Sequence, residues 1–324
     1  MSGLRQRARL LALVALSAFT AAASAQQDYP SKPIRYITPY APGGSTSFTA
    51  RLIGQRLSEA WGQPVVVDNR GGANTVIGTL AAVKSRPDGY TIVSLGNTLA
   101  TNHTLIKTPY DALTDIAPIA TILSYENILV VAPALPANSV KELVELAKAK
   151  PGQLTYGTSA TGGATHLVAE LLNLEAGIST RAIPYKGGGP AVSDLMGGHI
   201  DFFMSNPANV ATQIRTGRLR ALAVTGKERV NTFPDVPTFA EAGFPAITLT
   251  NWQGVGGPAG IPKPIIDKIS EEVRKIVAMP DTREKLNAQG FEPYYNTAQQ
   301  TAAILKSDIA KYARIIKAAN IKID

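Results

Sequence analysis

Pro42-Gly43-Gly44-Ser45-Thr46-Ser47 follows the strand-like run Ile34-Arg35-Tyr36-Ile37 and leads into a helix-like stretch. There Ile53, Leu57, Ala60 and Trp61 share one face, and Gly62 is placed to end the helix. Gly157-Thr158-Ser159-Ala160-Thr161-Gly162-Gly163 repeats the arrangement, between Leu154-Thr155-Tyr156 and a helix expected from about Ala164 to Leu174. A glycine loop that opens a helix leaves several amides without intrahelical partners. Those amides and the positive end of the helix dipole attract an anion. Glycine permits close approach, and Ser/Thr hydroxyls add donors. One such loop is ordinary in any α/β protein; two in one chain point to an anion site built from main chain.

Working outward, strand-like and helix-like segments alternate nearly throughout, the pattern of an α/β architecture. Val65-Val66-Val67 reads as a buried strand, Val76–Val83 as a helix, and Pro87-Asp88-Gly89 as a turn before the strand Tyr90–Leu95. Ile128–Val131 begins a new run, and Ser139-Val140-Lys141-Glu142 is a capping box opening a helix through Lys148. Further strands are expected at 181–185, 200–204, 220–224 and 247–255, and C-terminal helices from 265, 282–289 and 298–318. The 324 residues suggest two domains, yet no linker, repeat or low-complexity tract separates them. The chain is therefore expected to cross between domains twice, near 123–128 and 246–252, with the C-terminal helices packed back on the first.

Composition narrows the function. Hydrophobic residues make up 45% of the chain, too many for disorder. With no Cys there is no disulfide framework, thiolate metal site or Cys nucleophile. Residues 1–25 read as an export signal: Arg5, Arg7 and Arg9, then an apolar run from Leu10 to Phe19, then Ala23-Ser24-Ala25 for cleavage after Ala25. That run is about half the ~20 residues a membrane-spanning helix needs. Removing the segment leaves 29 basic and 24 acidic residues, a net +5 over 299 residues. The charge is dispersed and no aromatic residues interleave it, which speaks against a nucleic-acid groove.

Motifs for side-chain chemistry are mostly absent. His103, His166 and His199 have no zinc-type spacing, so no metal or cofactor is expected. His166 and Glu170, four apart, read as a helix surface or cap. The second glycine loop is one residue too long for a nucleophile elbow. Gly254-Val255-Gly256-Gly257-Pro258-Ala259 mimics a dinucleotide fingerprint, but Pro258 and Pro262 leave no helix to receive a pyrophosphate. A rival reading, an exported hydrolase or isomerase with His166 or Asp201 as base, lacks a paired nucleophile.

The order and spacing of several further motifs resemble the Bug family, the exported solute receptors of tripartite tricarboxylate transporters. The resemblance runs over nearly all of the chain after residue 25. It is carried by Tyr29-Pro30-Ser31-Lys32-Pro33-Ile34, Tyr40-Ala41-Pro42-Gly43-Gly44, Val67-Asp68-Asn69-Arg70-Gly71-Gly72-Ala73 and Pro87-Asp88-Gly89-Tyr90-Thr91. It continues through Tyr185-Lys186-Gly187, Asp194-Leu195-Met196-Gly197-Gly198, Leu219-Arg220-Ala221-Leu222-Ala223-Val224-Thr225 and Pro234-Asp235-Val236-Pro237-Thr238. The resemblance implies a type II periplasmic-binding-protein fold: residues 26–125 with 249–324 as one lobe, 126–248 as the other, and a ligand cleft between them. It implies that Tyr40 and Gly43, Gly44, Ser45, Thr46 and Ser47 line the cleft from one lobe. Thr158, Ser159, Ala160, Thr161, Gly162 and Gly163 would line it from the other, with Asn97 and Ser205 of Met204-Ser205-Asn206 as further walls. Family members often carry an acid three residues after the second glycine; here that position is Ser47, which cannot pair with a ligand ammonium.

The expected function is therefore periplasmic capture of a small, amine-free carboxylate, di- and aromatic carboxylates included, by a monomeric receptor that serves a membrane transporter. A receptor feeding a membrane sensor is the alternative within the same class, since either partner would read the closed form.

Overall fold

The computed structural model describes residues 29–159, 161–185 and 187–321. The expected export signal at 1–25 and the candidate site residue Ala160 lie outside the described residues.

The first sheet is begun by β1 (Ile34–Thr38), α1 (Ser45–Trp61), β2 (Val65–Asn69), α2 (Val76–Val83), β3 (Thr91–Gly96), α3 (Asn97–Leu105) and β4 (Ile116–Glu126). The chain then crosses to a second sheet through β5 (Ile128–Val131), α4 (Val140–Ala149), β6 (Thr155–Thr158) and α5 (Ala164–Ala176). That sheet continues with β7 (Arg181–Pro184), α6 (Gly188–Met196), β8 (Phe202–Ser205), α7 (Pro207–Arg215) and β9 (Arg220–Val224). The return brings β10 (Thr250–Pro258), α8 (Lys263–Ala278), α9 (Pro280–Ala288), β11 (Glu292–Pro293) and α10 (Ala298–Ala318).

The first sheet has the order β11-β4-β10-β3-β1-β2, the second β7-β6-β8-β5-β9. β1 pairs parallel with β2 and β3, and β6 parallel with β7 and β8, so helices must carry each of those connections. β10 runs antiparallel between β3 and β4, and β5 antiparallel between β8 and β9. α8 packs on β4 and α1, and α10 on β4 and α3, with a lesser contact to α5. One apolar core runs unbroken from the first sheet to the second through Leu129, Phe239, Ile247, Leu249, Trp252 and Tyr312. Two further cores lie on the outer faces, one around Tyr36, Ile53 and Val273, the other around Phe203, Leu195 and Val210.

Several elements differ from the sequence reading. β2 is an edge strand, and Val66 is 56% exposed rather than buried. β4 has no strong sequence signature because Pro118 sits inside it. Pro118 faces Gly256 on one side, while β11 pairs only with Ser124 and Leu123 on the other, so an open edge is available for the residue that lacks an N–H. Gly254, Gly256 and Gly257 lie inside β10. A Cβ on Gly254 would be 2.5 Å from the carbonyl of Ala120, and one on Gly256 2.8 Å from that of Ala117. The glycine run is thus a requirement of sheet packing. Ser139 caps α4 by accepting from the Glu142 amide at 3.1 Å, but Glu142 returns to the Asn138 amide, one residue earlier than a standard box. The complete capping box belongs to Thr297 and Gln300 at the start of α10.

The two crossings are laced together. The Asn127 amide donates to Thr225 Oγ1 at 3.0 Å, the Thr225 amide donates to the Asn127 carbonyl at 3.0 Å, and Thr225 Oγ1 donates to the Leu249 carbonyl at 2.6 Å. Beside them, Glu126 accepts from Thr250 Oγ1 at 2.9 Å and from Thr225 Oγ1 at 3.3 Å. Burial pushes its carboxyl up to about 7, against the opposing pull of those hydroxyls and of Lys311.

Two predictions follow from this packing. A Cβ on Gly78 would lie 2.6 Å from the Arg70 carbonyl oxygen and 2.7 Å from Pro39 Cα. Gly78→Ala gains about 1 kcal/mol of helix propensity, but backbone on both sides cannot yield, and overpacking costs roughly 1–3 kcal/mol. Urea unfolding is expected to show net destabilisation; equal or higher stability would refute the clash. For Glu126, the folded chain keeps the proton in the interval above the ordinary value of 4.5 and below about 7, where the unfolded chain releases it. Its contribution to stability is therefore present at low pH and lost as pH rises through about 7. Thermal melts at about pH 5 and about pH 7.5 should show Glu126→Gln less pH-dependent than the parent; parallel curves would sink this assignment.

Candidate functional site

A cavity of about 250 Å³ opens where the carboxyl ends of the parallel strands of both sheets face each other. From the first sheet come Tyr40, Gly44, Ser45 and Thr46 after β1, and Gly96, Asn97 and Thr98 after β3. Across from them stand Ser159 with Gly163, Ala164 and Thr165 after β6, Gly187 and Gly188 after β7, and Asn206 and Asn209 after β8. Leu95, Tyr125, Asn127, Trp252 and Gln253 complete the wall near the crossings.

Four helices begin on this cavity with glycine at the N-cap: Gly44 for α1, Gly96 for α3, Gly163 for α5 and Gly187 for α6. None has a side-chain cap. Glycine offers no side-chain oxygen, so the first amides of each helix keep their donors for something else. At α6 the residue type is also required by geometry. Gly187 has φ 121°, in the region that favours glycine. A fifth helix, α7, is capped by its own Asn206, which accepts from the Ala208 amide at 2.9 Å. Among the described lining residues there is no Asp, Glu, Lys, Arg or His. The helix starts add the positive ends of main-chain dipoles to the wall.

Hydrogen bonds hold the wall. Tyr40 Oη donates to Thr98 Oγ1 at 3.0 Å, joining the starts of α1 and α3. Gln253 Nε2 donates to Ser45 Oγ at 3.2 Å. Asn97 spends its side chain inward: Oδ1 accepts from the Trp252 amide at 3.0 Å and Nδ2 donates to Tyr312 Oη at 2.6 Å. Trp252 Nε1 donates to Asp308 at 2.8 Å, and Lys311 neutralises Asp308 at 2.8 Å. The Ser159 amide donates to Thr165 Oγ1 at 3.1 Å.

The candidate residues divide into two groups. Tyr40, Gly44, Ser45, Thr46, Asn97, Ser159 and Gly163 stand on the cavity wall. Gly43, Ser47, Thr158, Thr161, Gly162 and Ser205 are not among its described lining residues. Gly43 makes the turn before α1 with φ 90°. Ser47 is 2% exposed and accepts from Asn69 Nδ2 at 3.0 Å, behind the loop. Thr158 ends β6 with its hydroxyl against Thr165 Oγ1. Thr161 is partly exposed, off the wall. The Gly162 amide is consumed by His166 Nδ1 at 2.9 Å, and Ser205 Oγ donates to the Asn206 carbonyl at 3.1 Å.

Gly96, Thr98, Thr165, Gly187, Gly188 and Asn209 were not among the candidates, although Gly96 and Gly187-Gly188 carry the same strand–glycine–helix signal as the two loops first read. Asn127, Trp252 and Gln253 reach the wall from the crossings and from β10, and no local motif marks them.

The groups proposed as catalytic bases have structural work elsewhere. His166 accepts from Gly162, its Nε2 stands 3.8 Å from Glu170 Oε1, and burial lowers its pKa against the upward pull of Glu170. Glu170 also accepts from Tyr156 Oη. Asp201 accepts from the Thr155 amide at 2.7 Å and its hydroxyl at 3.1 Å. Among the described residues no group of His, Asp and Glu is placed to hold a metal ion, and no helix is long and apolar enough to cross a membrane.

Residues 49–321 match the family model of the tripartite tricarboxylate transporter family receptor. BugT of Bordetella pertussis is 37% identical over 321 residues, covering 97% of this chain and 98% of that protein. The structure of R. palustris Rpa4515 with adipate is similar at TM-score 0.85 and 33% identity, over 91% of this chain and 99% of that one. MatC from Rhodopseudomonas palustris with bound malate is similar at TM-score 0.81 and 25% identity, over 89% and 100%. The fold is that of a periplasmic binding protein, and the chain belongs to the tripartite tricarboxylate transporter receptor family, among the Bug proteins.

Proposed function

We propose that this protein is an exported receptor that captures an amine-free carboxylate between its two lobes and presents it to a tripartite tricarboxylate-type transporter. One observation carries the reading: four uncapped glycine N-termini, two from each sheet, meet on one cavity. A carboxylate accepts several hydrogen bonds at once, and each bond to a charged group is worth roughly 1.5–3 kcal/mol. Ordering and desolvation consume much of that, leaving an affinity of about micromolar, near −8 kcal/mol.

The donors lie on both sides of the cavity, so a carboxylate satisfies the whole set when the lobes are close together. The ligand then favours the closed state by its differential affinity for it, and the closed outline is what a membrane partner would read. Both sides come from one chain, so a monomer suffices. Export rests on the Arg5–Ala25 segment, with cleavage after Ala25. The relatives with adipate and with malate support a carboxylate as the class of solute.

Exclusion of amines rests on a different ground from the position of Ser47, which faces Asn69. It rests on the wall as a whole, which offers no carboxylate to an ammonium and aims helix N-termini at it.

Gly44 tests the anion site directly. Its φ is −85° and a Cβ there meets nothing within 4 Å, so Gly44→Asp is compatible with the fold while placing a negative charge on the wall. Calorimetry against adipate, malate and succinate should show loss of binding by at least about a hundredfold, a penalty near 3 kcal/mol. A folded variant with parental affinity would overturn the assignment. In a thermal-shift panel, dicarboxylates should raise the melting temperature and free aspartate and glutamate should not. Stabilisation by the amino acids alone would refute amine exclusion.

A further inference from the structure

Behind the cavity wall, the first turn of α5 folds two side chains back over the loop that precedes it. Gly163 is the N-cap, so Ala164, Thr165 and His166 are the first three helical residues. The Ser159 amide donates to Thr165 Oγ1 at 3.1 Å, and the Gly162 amide donates to His166 Nδ1 at 2.9 Å. The loop is thus pinned at Ser159 and at Gly162, and it presents Ser159 and Gly163 to the cavity.

A side chain at the third helical position that accepts from an amide at the helix start is one half of a capping box, a role usually filled by Glu or Gln. Here Glu would set a carboxylate beside a helix start that faces an anion site. An imidazole accepts the same bond without that charge. Nδ1 carries no proton while it accepts an N–H, so the ring that makes this bond is neutral. The Glu170 carboxyl, 3.8 Å from Nε2, favours the proton on that nitrogen and leaves Nδ1 free to accept. Glu170 is itself fixed by Tyr156 Oη, which donates to it. His166 is 8% exposed and is not among the described lining residues, so it acts from behind the wall. At α1 the same helical position is Ser47, again uncharged and turned to Asn69, whose Nδ2 also donates to the Tyr40 carbonyl at 3.1 Å.

We infer that His166 is a positioning residue for solute capture: as an uncharged acceptor it holds Gly162 back and leaves Ser159 and Gly163 facing the cavity. This rests on the carboxylate reading above and adds to it a residue set behind the wall.

The experiment is calorimetry with adipate, malate and succinate on the purified protein and on two matched pairs of variants, His166→Asn with His166→Leu and His166→Gln with His166→Met. The members of each pair are close in size and differ in whether they can accept from the Gly162 amide. In at least one pair the amide variant should bind within about threefold of the parent and its apolar counterpart at least about tenfold weaker, both with the parental circular dichroism. Equal affinities within both pairs are what a space-filling histidine gives; that result would overturn the inference and leave carboxylate capture standing. Weakened binding in all four folded variants would also overturn it, since restoring an acceptor would then restore nothing. Loss of fold in both pairs would overturn it as well, by making His166 a requirement of the core. Failure of the folded parent to bind any of the three acids would overturn both readings.

Discussion

A helix that starts on glycine has no side chain with which to cap its own first turn, and the site of this protein depends on that fact four times over. At Gly44, Gly96, Gly163 and Gly187 the amides are left to face a common space. The opposite choice is visible in the same molecule. α4 and α10, remote from the cavity wall, begin on Ser139 and Thr297, whose hydroxyls satisfy the amides internally. Side-chain caps are also missing at the remote starts of α2, α8 and α9, and present at Asn206 on the wall, so what sets the four starts apart is that each combines glycine with a place on the cavity.

What keeps those four helix starts in register is a layer of side chains behind them. Asn97 and Trp252 are tied to Asp308 and Tyr312, so α10, the last helix of the chain, supports the wall of a cavity it does not itself line. Tyr40 and Thr98 link neighbouring helix starts, and Thr165 does the same for the loop after β6. The crossings at Asn127, Thr225 and Leu249 are joined by three short hydrogen bonds. Glu126 is held among hydroxyls beside them.

The described wall is of two kinds. Main-chain amides stand at the glycine starts of four helices, and Asn127, Asn206, Asn209, Thr98 and Gln253 are neutral side chains of defined donor and acceptor character. Two of these, Asn127 and Gln253, are left with unpaired atoms. That division is economical: relatives of similar fold described with adipate and with malate differ in the solute, not in the class of charge it carries.

The sequence alone determined the α/β alternation, the two glycine loops after β1 and β6, most helix limits including Ala298–Ala318, and the resemblance to the receptor family. These are local signals: periodicity, caps and turn residues act over a few positions and are written where they act. It read Ser47, Gly162 and Ser205 as wall because a loop's sequence does not say which of its groups turn inward, and partners such as Asn69 and His166 settle that only after folding. β4 escaped because its Pro118 is tolerated by an open strand edge that exists only in the assembled sheet. Asn127, Trp252 and Gln253 come from chain crossings far apart in sequence and meet because β10 returns antiparallel between β3 and β4. Which amides converge, and which are left without partners, is a property of that long-range pairing, and no short stretch of residues encodes it.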